Sequence, residues 1–245
     1  MSAAHDQQLQ ELLAHPSVWR GRSRAAVPTL STGFAALDAG LPGGGWPRHG
    51  LVEILTAQPG VGELYLLLPA LAALSRLDPA RWCAWVSPPH EPFAPALVSQ
   101  GVVLEGMLVV RTSQGLTRHV SRRRSDGVCM DFWAMEQALR SGACGVVLAW
   151  LPRVSPRAIR RLQLAAEQGR ALGVLYPSQR FASEASPAML RVLLEPLATR
   201  DARQGARISL IKSRGGRREP IHLEWSAAAA GAGIDAPARP QTGFS

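Results

Sequence analysis

Apolar positions along this chain switch repeatedly between a period of two and a helical period. Residues 49–57 (HGLVEILTA), 82–87, 107–112, 145–150 (GVVLAW) and 172–176 read as short, largely apolar strands. Between them, 62–76, 93–100, 130–141 and 156–168 carry apolar residues at helical spacing, the last with arginines on one side. Repeated strand–helix units of this size predict a parallel sheet covered on both faces. Beyond Pro177 the helices stop. Three strands at 190–197, 206–212 and 221–225 follow one another as expected antiparallel hairpins. The expectation is an α/β domain of three layers, with a mostly parallel central sheet and late antiparallel strands.

The ends depart from this pattern. Residues 5–14 form a short amphipathic helix with Leu9, Leu12 and Leu13 on one face, closed by Pro16. A basic linker follows, from Trp19-Arg20-Gly21-Arg22 to Arg24. Residues 1–27 are therefore read as a helix and basic arm, 28–226 as the core domain, and 227–245, rich in Ala, Gly and Pro, as a disordered tail. The longest apolar run, 64–74, is too short to span a bilayer, and the first residues lack a basic-then-apolar leader, so a cytoplasmic protein is expected.

Composition changes the picture in one respect. The net charge is +9, which invites an acidic partner such as nucleic acid. Lys212 is the sole lysine, so an arginine-favouring coding bias explains the same number equally well. Cys83, Cys129 and Cys144 have no metal-ligand spacing and read as core thiols. The six histidines form no H-x-x-x-H pair and accompany no serine-centred elbow, and no metal or cofactor is expected.

The first predicted strand runs into a glycine turn and then a helix, the setting of a phosphate-binding loop. The octet is Ala57-Gln58-Pro59-Gly60-Val61-Gly62-Glu63-Leu64. Gly60 and Gly62 suit the turn, but Glu63 stands where lysine would neutralise phosphate, and Leu64 where a hydroxyl would hold magnesium. A carboxylate some 4 Å from a phosphate charge costs roughly 4 kcal/mol at an effective dielectric near 20. The strand at 145–150 ends in Leu148-Ala149-Trp150, with no acid for magnesium. The turn is thus expected not to bind ATP, and the chain not to be an enzyme.

The segment before the turn carries a resemblance. Leu30-Ser31-Thr32-Gly33 through Leu37-Asp38, then Leu41-Pro42-Gly43-Gly44-Gly45 and Gly50-Leu51-Val52-Glu53-Ile54, resembles the RecA recombinases. Residues 83–87 and the approach 138–148 are similar to that family's later core, which implies a RecA-like fold. Departures accompany it: Pro89 and His90 precede Glu91 where the family places a catalytic glutamate before a histidine, and the connections at 152–156 and 177–187 are short. Val18-Trp19-Arg20-Gly21 and Glu136-Gln137-Ala138-Leu139-Arg140-Ser141-Gly142 add a resemblance to the ImuA family, DNA-damage-induced accessory proteins of translesion synthesis and mutagenesis. That resemblance implies an SOS-induced role beside an ImuB-type, Y-family-like polymerase partner and an error-prone DnaE-type polymerase, nucleoid-associated when engaged. The alternatives are a cell-division inhibitor of the SulA type, which binds the tubulin-like division protein, and a weak nucleotide- or DNA-binding RecA paralogue. Missing late strands in the SulA type set it second.

Other candidates are contacts. Lys212 and Arg214 match the RecA positions that reach a neighbour's nucleotide, and Arg217 and Arg218 extend that turn. With Arg122, Arg123 and Arg124 they are candidate contacts to DNA or a partner, or solvated loop charges. Leu9, Leu12, Leu13, Trp19 and Trp46 are candidate partner anchors, and self-association through the first helix is a further candidate. Trp82, Trp85, Trp133 and Trp150 read as core.

Overall fold

A computed structural model describes residues 28–76, 81–111, 130–197, 203–213 and 219–226. A two-stranded antiparallel ribbon, β1 (Thr29–Leu30) and β2 (Trp46–Pro47), brackets the short helix α1 (Ala35–Gly40). The main sheet then begins with β3 (Gly50–Leu55), buried at every position. It continues through β4 (Trp82–Val86), β5 (Met107–Val110), β6 (Cys144–Ala149), β7 (Leu172–Leu175), β8 (Leu190–Leu197), β9 (Arg203–Lys212) and β10 (Ile221–Ser226). The spatial order is β10-β9-β8-β3-β7-β6-β4-β5.

β3, β4, β5, β6, β7 and β8 are mutually parallel; β9 and β10 pair antiparallel. β8 therefore joins the parallel set beside β3, and only the last two strands reverse. Helices α2 (Leu68–Leu74) and α3 (Ala94–Ser99) pack with α1 on one face, around Leu37, Leu71, Leu97, Val52 and Ile54. Helices α4 (Met130–Arg140) and α5 (Pro156–Gln168) cover the other, around Leu51, Met135, Leu139, Ile159 and Leu162. Alternation along β3 delivers Val52 and Ile54 to the first core and Leu51 to the second. The result is a mixed α/β fold with a large, mostly parallel sheet.

The Ser-Thr-Gly…Leu-Asp segment is a built turn. The Asp38 carboxylate accepts from Ser31 Oγ at 2.6 Å and from the Thr32 N–H at 2.8 Å. The expected helix at 62–76 starts late. Residues 60–64 stay in the turn, Tyr65–Leu67 form one 3-10 turn, and the α-helix begins only at Leu68, with Pro69 in its first turn. Two tryptophans expected in the core are half out of it: Trp82, at the first position of β4, is 46% exposed and Trp133 on α4 is 41% exposed. No described helix is long and apolar enough to cross a membrane.

Candidate functional site

Because β3 lies between β7 and β8, its carboxyl end opens at a reversal of strand order, where α/β sheets place ligands. The glycine turn sits there, and it is filled by its own side chain. The Glu63 carboxylate accepts from the Gly60 N–H at 2.8 Å and from the Val61 N–H at 2.9 Å. Glu63 is only 5% exposed. The amides that an anion would use are thus satisfied internally by a carboxylate two and three residues further on. Ala57 and Gly60 are exposed, and Leu64 turns its side chain onto the core of the α2 face.

Aromatic rings close the remaining space. Gly62 has φ 103°, and a Cβ there would stand 2.6 Å from the Trp225 ring of β10. Trp225 stacks on Tyr65 with centroids 4.9 Å apart. At the carboxyl ends of β4, β6 and β7, Trp85, Trp150 and Tyr176 form a second aromatic cluster, Trp150 stacked on Tyr176 at 4.7 Å and Trp85 tilted against Trp150 at 5.6 Å. Burial, with the nearby Glu63 charge, holds the Tyr176 hydroxyl well above the ordinary tyrosine range, so it stays protonated. Burial likewise pushes the Cys83 thiol up to about 12, and Cys144 upward, which disfavours the thiolate at both.

A second polar centre bridges β3 and β8. Arg191 on β8 is 4% exposed and donates through Nε to Glu53 on β3 at 2.6 Å. Its other nitrogens donate to the carbonyls of Phe181, Ala182 and Glu184. Lys212 on β9, the register partner of Arg191, donates to the Ser186 carbonyl at 2.5 Å. Together the two cations hold the connection between β7 and β8. Arg191 escaped the sequence reading. Its signal was an arginine inside the apolar run Leu190–Leu197 with a complementary Glu53 in another buried strand.

The expected site residues are scattered. Lys212 is engaged within its own chain rather than aimed outward. Trp46 has no exposed surface and belongs to the core, so it anchors nothing outside the domain. Glu91 pairs with Arg111 at the surface, away from the glycine turn. Leu9, Leu12, Leu13, Trp19, Arg122, Arg123, Arg124, Arg214, Arg217 and Arg218 lie outside the described residues. Among the described residues no cluster of His, Cys, Asp or Glu could hold a metal ion.

Comparison with known proteins gives a consistent result. The family model described as "Cell division inhibitor SulA" matches residues 51–173, from β3 to β7. The cell division inhibitor SulA of Photorhabdus laumondii is 34% identical over 126 residues, 51% of this chain and 63% of the relative. Its counterpart in Edwardsiella piscicida is 34% identical over 134 residues, 54% of this chain and 71% of the relative. Against the Photorhabdus protein, then, this chain spans less than two thirds of the relative's length. A crystal structure of SulA from Pseudomonas aeruginosa aligns over 52% of this chain and 97% of its own, at 25% identity and a TM-score of 0.38.

The family model and the two relatives overturn the ImuA assignment and what it implied about function: the translesion and mutagenesis role and the ImuB-type and DnaE-type polymerase partners. The physical reason is where the signals lie. Of the two short motifs behind that assignment, Val18–Gly21 precedes the matched core and Glu136–Gly142 is a small part of it, whereas the family likeness runs from β3 to β7. The late strands do not discriminate either. β8, β9 and β10 extend one edge of the sheet beyond the match and leave the shared core intact.

Proposed function

This chain belongs to the SulA family of cell division inhibitors, and on that premise we propose that it is a non-catalytic protein that halts division by binding the tubulin-like division protein FtsZ. The observation that carries the proposal is the family match across β3–β7. The filled glycine turn supports the non-catalytic part: Glu63 takes the loop amides, Leu64 offers magnesium no oxygen, and Trp225 lies against Gly62. Expression in the SOS response to DNA damage and action in the cytoplasm belong to the same proposal.

The finer fold reading is also ours. We read the domain as a RecA-like scaffold with a degenerate P-loop, supported by an interior β3 leading into a glycine turn between parallel neighbours. The division into an arm at 1–27, a core at 28–226 and a tail at 227–245 accompanies it as a proposal.

The test is polymerisation of purified FtsZ with GTP, followed by light scattering as this protein is titrated in. Stoichiometric suppression, with no heat when ATP is titrated into the inhibitor alone, is the expected result. Unchanged assembly at a large excess of inhibitor would overturn the reading.

A further inference from the structure

Helices α4 and α5 lie side by side, with their inner residues buried on the sheet. A helix covering a sheet ordinarily shows polar residues to water. These two show large apolar groups there instead: Trp133 is 41% exposed and Leu164 is 50% exposed.

Arginines surround them. Arg140 and Arg161 both pair with Glu136, at 2.9 and 2.5 Å, and the Glu136 side chain is 2% exposed. One buried carboxylate thus holds two guanidinium groups that remain nearly half exposed, leaving positive charge at the surface. Arg161 also lies 4.9 Å over the Phe132 ring, which fixes its orientation. Arg157 and Arg160 are exposed on α5, and among the described residues neither pairs with a carboxylate. Glu167, the exposed acid of α5, accepts from Gln163 at 2.7 Å.

Tryptophan and arginine dominate the energetics of protein interfaces, and pre-oriented guanidinium groups lose little freedom on pairing with carboxylates. We propose that the outer face of α4 and α5, centred on Trp133 and Leu164 and rimmed by Arg140, Arg157, Arg160 and Arg161, is the docking surface for an acidic, apolar-centred patch on the division protein. The proposal rests on the inhibitor reading. Charge complementarity selects the acidic rim. The exposed Leu164 selects a protein over a nucleic acid, because a phosphate backbone has no use for an apolar centre. Both helices also lie inside the family-matched stretch.

The experiment compares FtsZ binding and assembly for the wild type, R157E/R160E, L164A and a charge-matched control, R48E/R76E. All these positions are exposed or half-exposed, and a urea midpoint for each protein checks the fold. Expected are a loss of about tenfold or more in affinity for R157E/R160E, about threefold or more for L164A, and little change for the control. Wild-type affinity also falls as salt rises from about 50 to about 300 mM. A wild type that does not bind FtsZ removes the inhibitor reading and this surface with it. A wild type that binds, with R157E/R160E and L164A unchanged, removes the surface alone. Anisotropy with a short DNA duplex completes the test: duplex binding abolished by R157E/R160E while inhibition is retained would also overturn the proposal.

Discussion

Arg191 Nε lies 2.6 Å from a carboxylate oxygen of Glu53, and the two residues are register partners on adjacent parallel strands. Both are almost fully buried, and the same guanidinium carries three carbonyls of the β7–β8 connection. Removing one partner strands the other charge in the interior. Arg191→Ala is therefore expected to cost about 3–5 kcal/mol, while replacing both residues with apolar ones of similar volume costs markedly less. Urea unfolding of the two single variants and the double variant measures this. Additive losses would show that the pair does not act as a unit.

Arg81, just before β4, ties two helix ends together. Its guanidinium donates to the carbonyls of Arg170 at 2.8 Å, Gly169 at 2.8 Å and Gly142 at 3.0 Å. These carbonyls follow α5 and α4, where backbone acceptors lack partners and the helix dipoles favour a cation. Arg81→Ala should lower stability by about 1–3 kcal/mol, and Arg81→Lys should recover only part, since an ammonium cannot span the fork. The readout is again the urea midpoint.

Much of this architecture was legible in the sequence, because strand and helix periods differ and the apolar runs are well separated. β3 to β7 and the helices between them follow the pattern to within a few residues, except the helix expected from residue 62, which begins only at Leu68. What was hidden are facts of three dimensions. Nothing local says that Glu63 folds back onto Gly60 and Val61, or that Trp225, far along the chain, packs against Gly62. Periodicity also misplaced Trp82 and Trp133. Trp82 is the exposed first residue of its strand, and Trp133 lies off the buried stripe formed by Phe132, Met135, Glu136 and Leu139. Family identity was misread because the ImuA resemblance rests on two short motifs, Val18–Gly21 and Glu136–Gly142, whereas the family likeness runs through residues 51–173 as a whole.

Restoring the lysine of a phosphate loop should not restore the site. Glu63→Lys removes the internal carboxylate and leaves the Gly60 and Val61 amides unpaired. Yet Leu64 stays packed, partly buried, against the core, and Trp225 still lies over Gly62. The variant is expected to lose about 1–3 kcal/mol of stability and to give no heat on titration with magnesium–ATP. Micromolar ATP binding by this single substitution would mean that the loop keeps an open nucleotide site.

Alkaline pH should unfold this protein through its buried acids, and Cys83 isolates one contribution. Burial raises its thiol from an ordinary 9.0 to about 12, against a smaller opposing effect from Trp85 Nε1, which donates to the sulfur at 3.1 Å. Below about pH 9 the thiol is protonated in folded and unfolded chains alike, so it adds no pH dependence. Above that, the unfolded chain releases the proton and the folded one retains it, so stability declines until pH passes about 12. Near pH 10.5 the decline from this group amounts to about 2 kcal/mol. Tyr176, also raised by burial, adds to the fall above about pH 10. Urea midpoints between about pH 7 and pH 10.5 should therefore drop steeply in the wild type and less steeply in Cys83→Ala. Equal slopes in the two proteins would show that the Cys83 thiol ionises in the folded state as readily as in the unfolded chain.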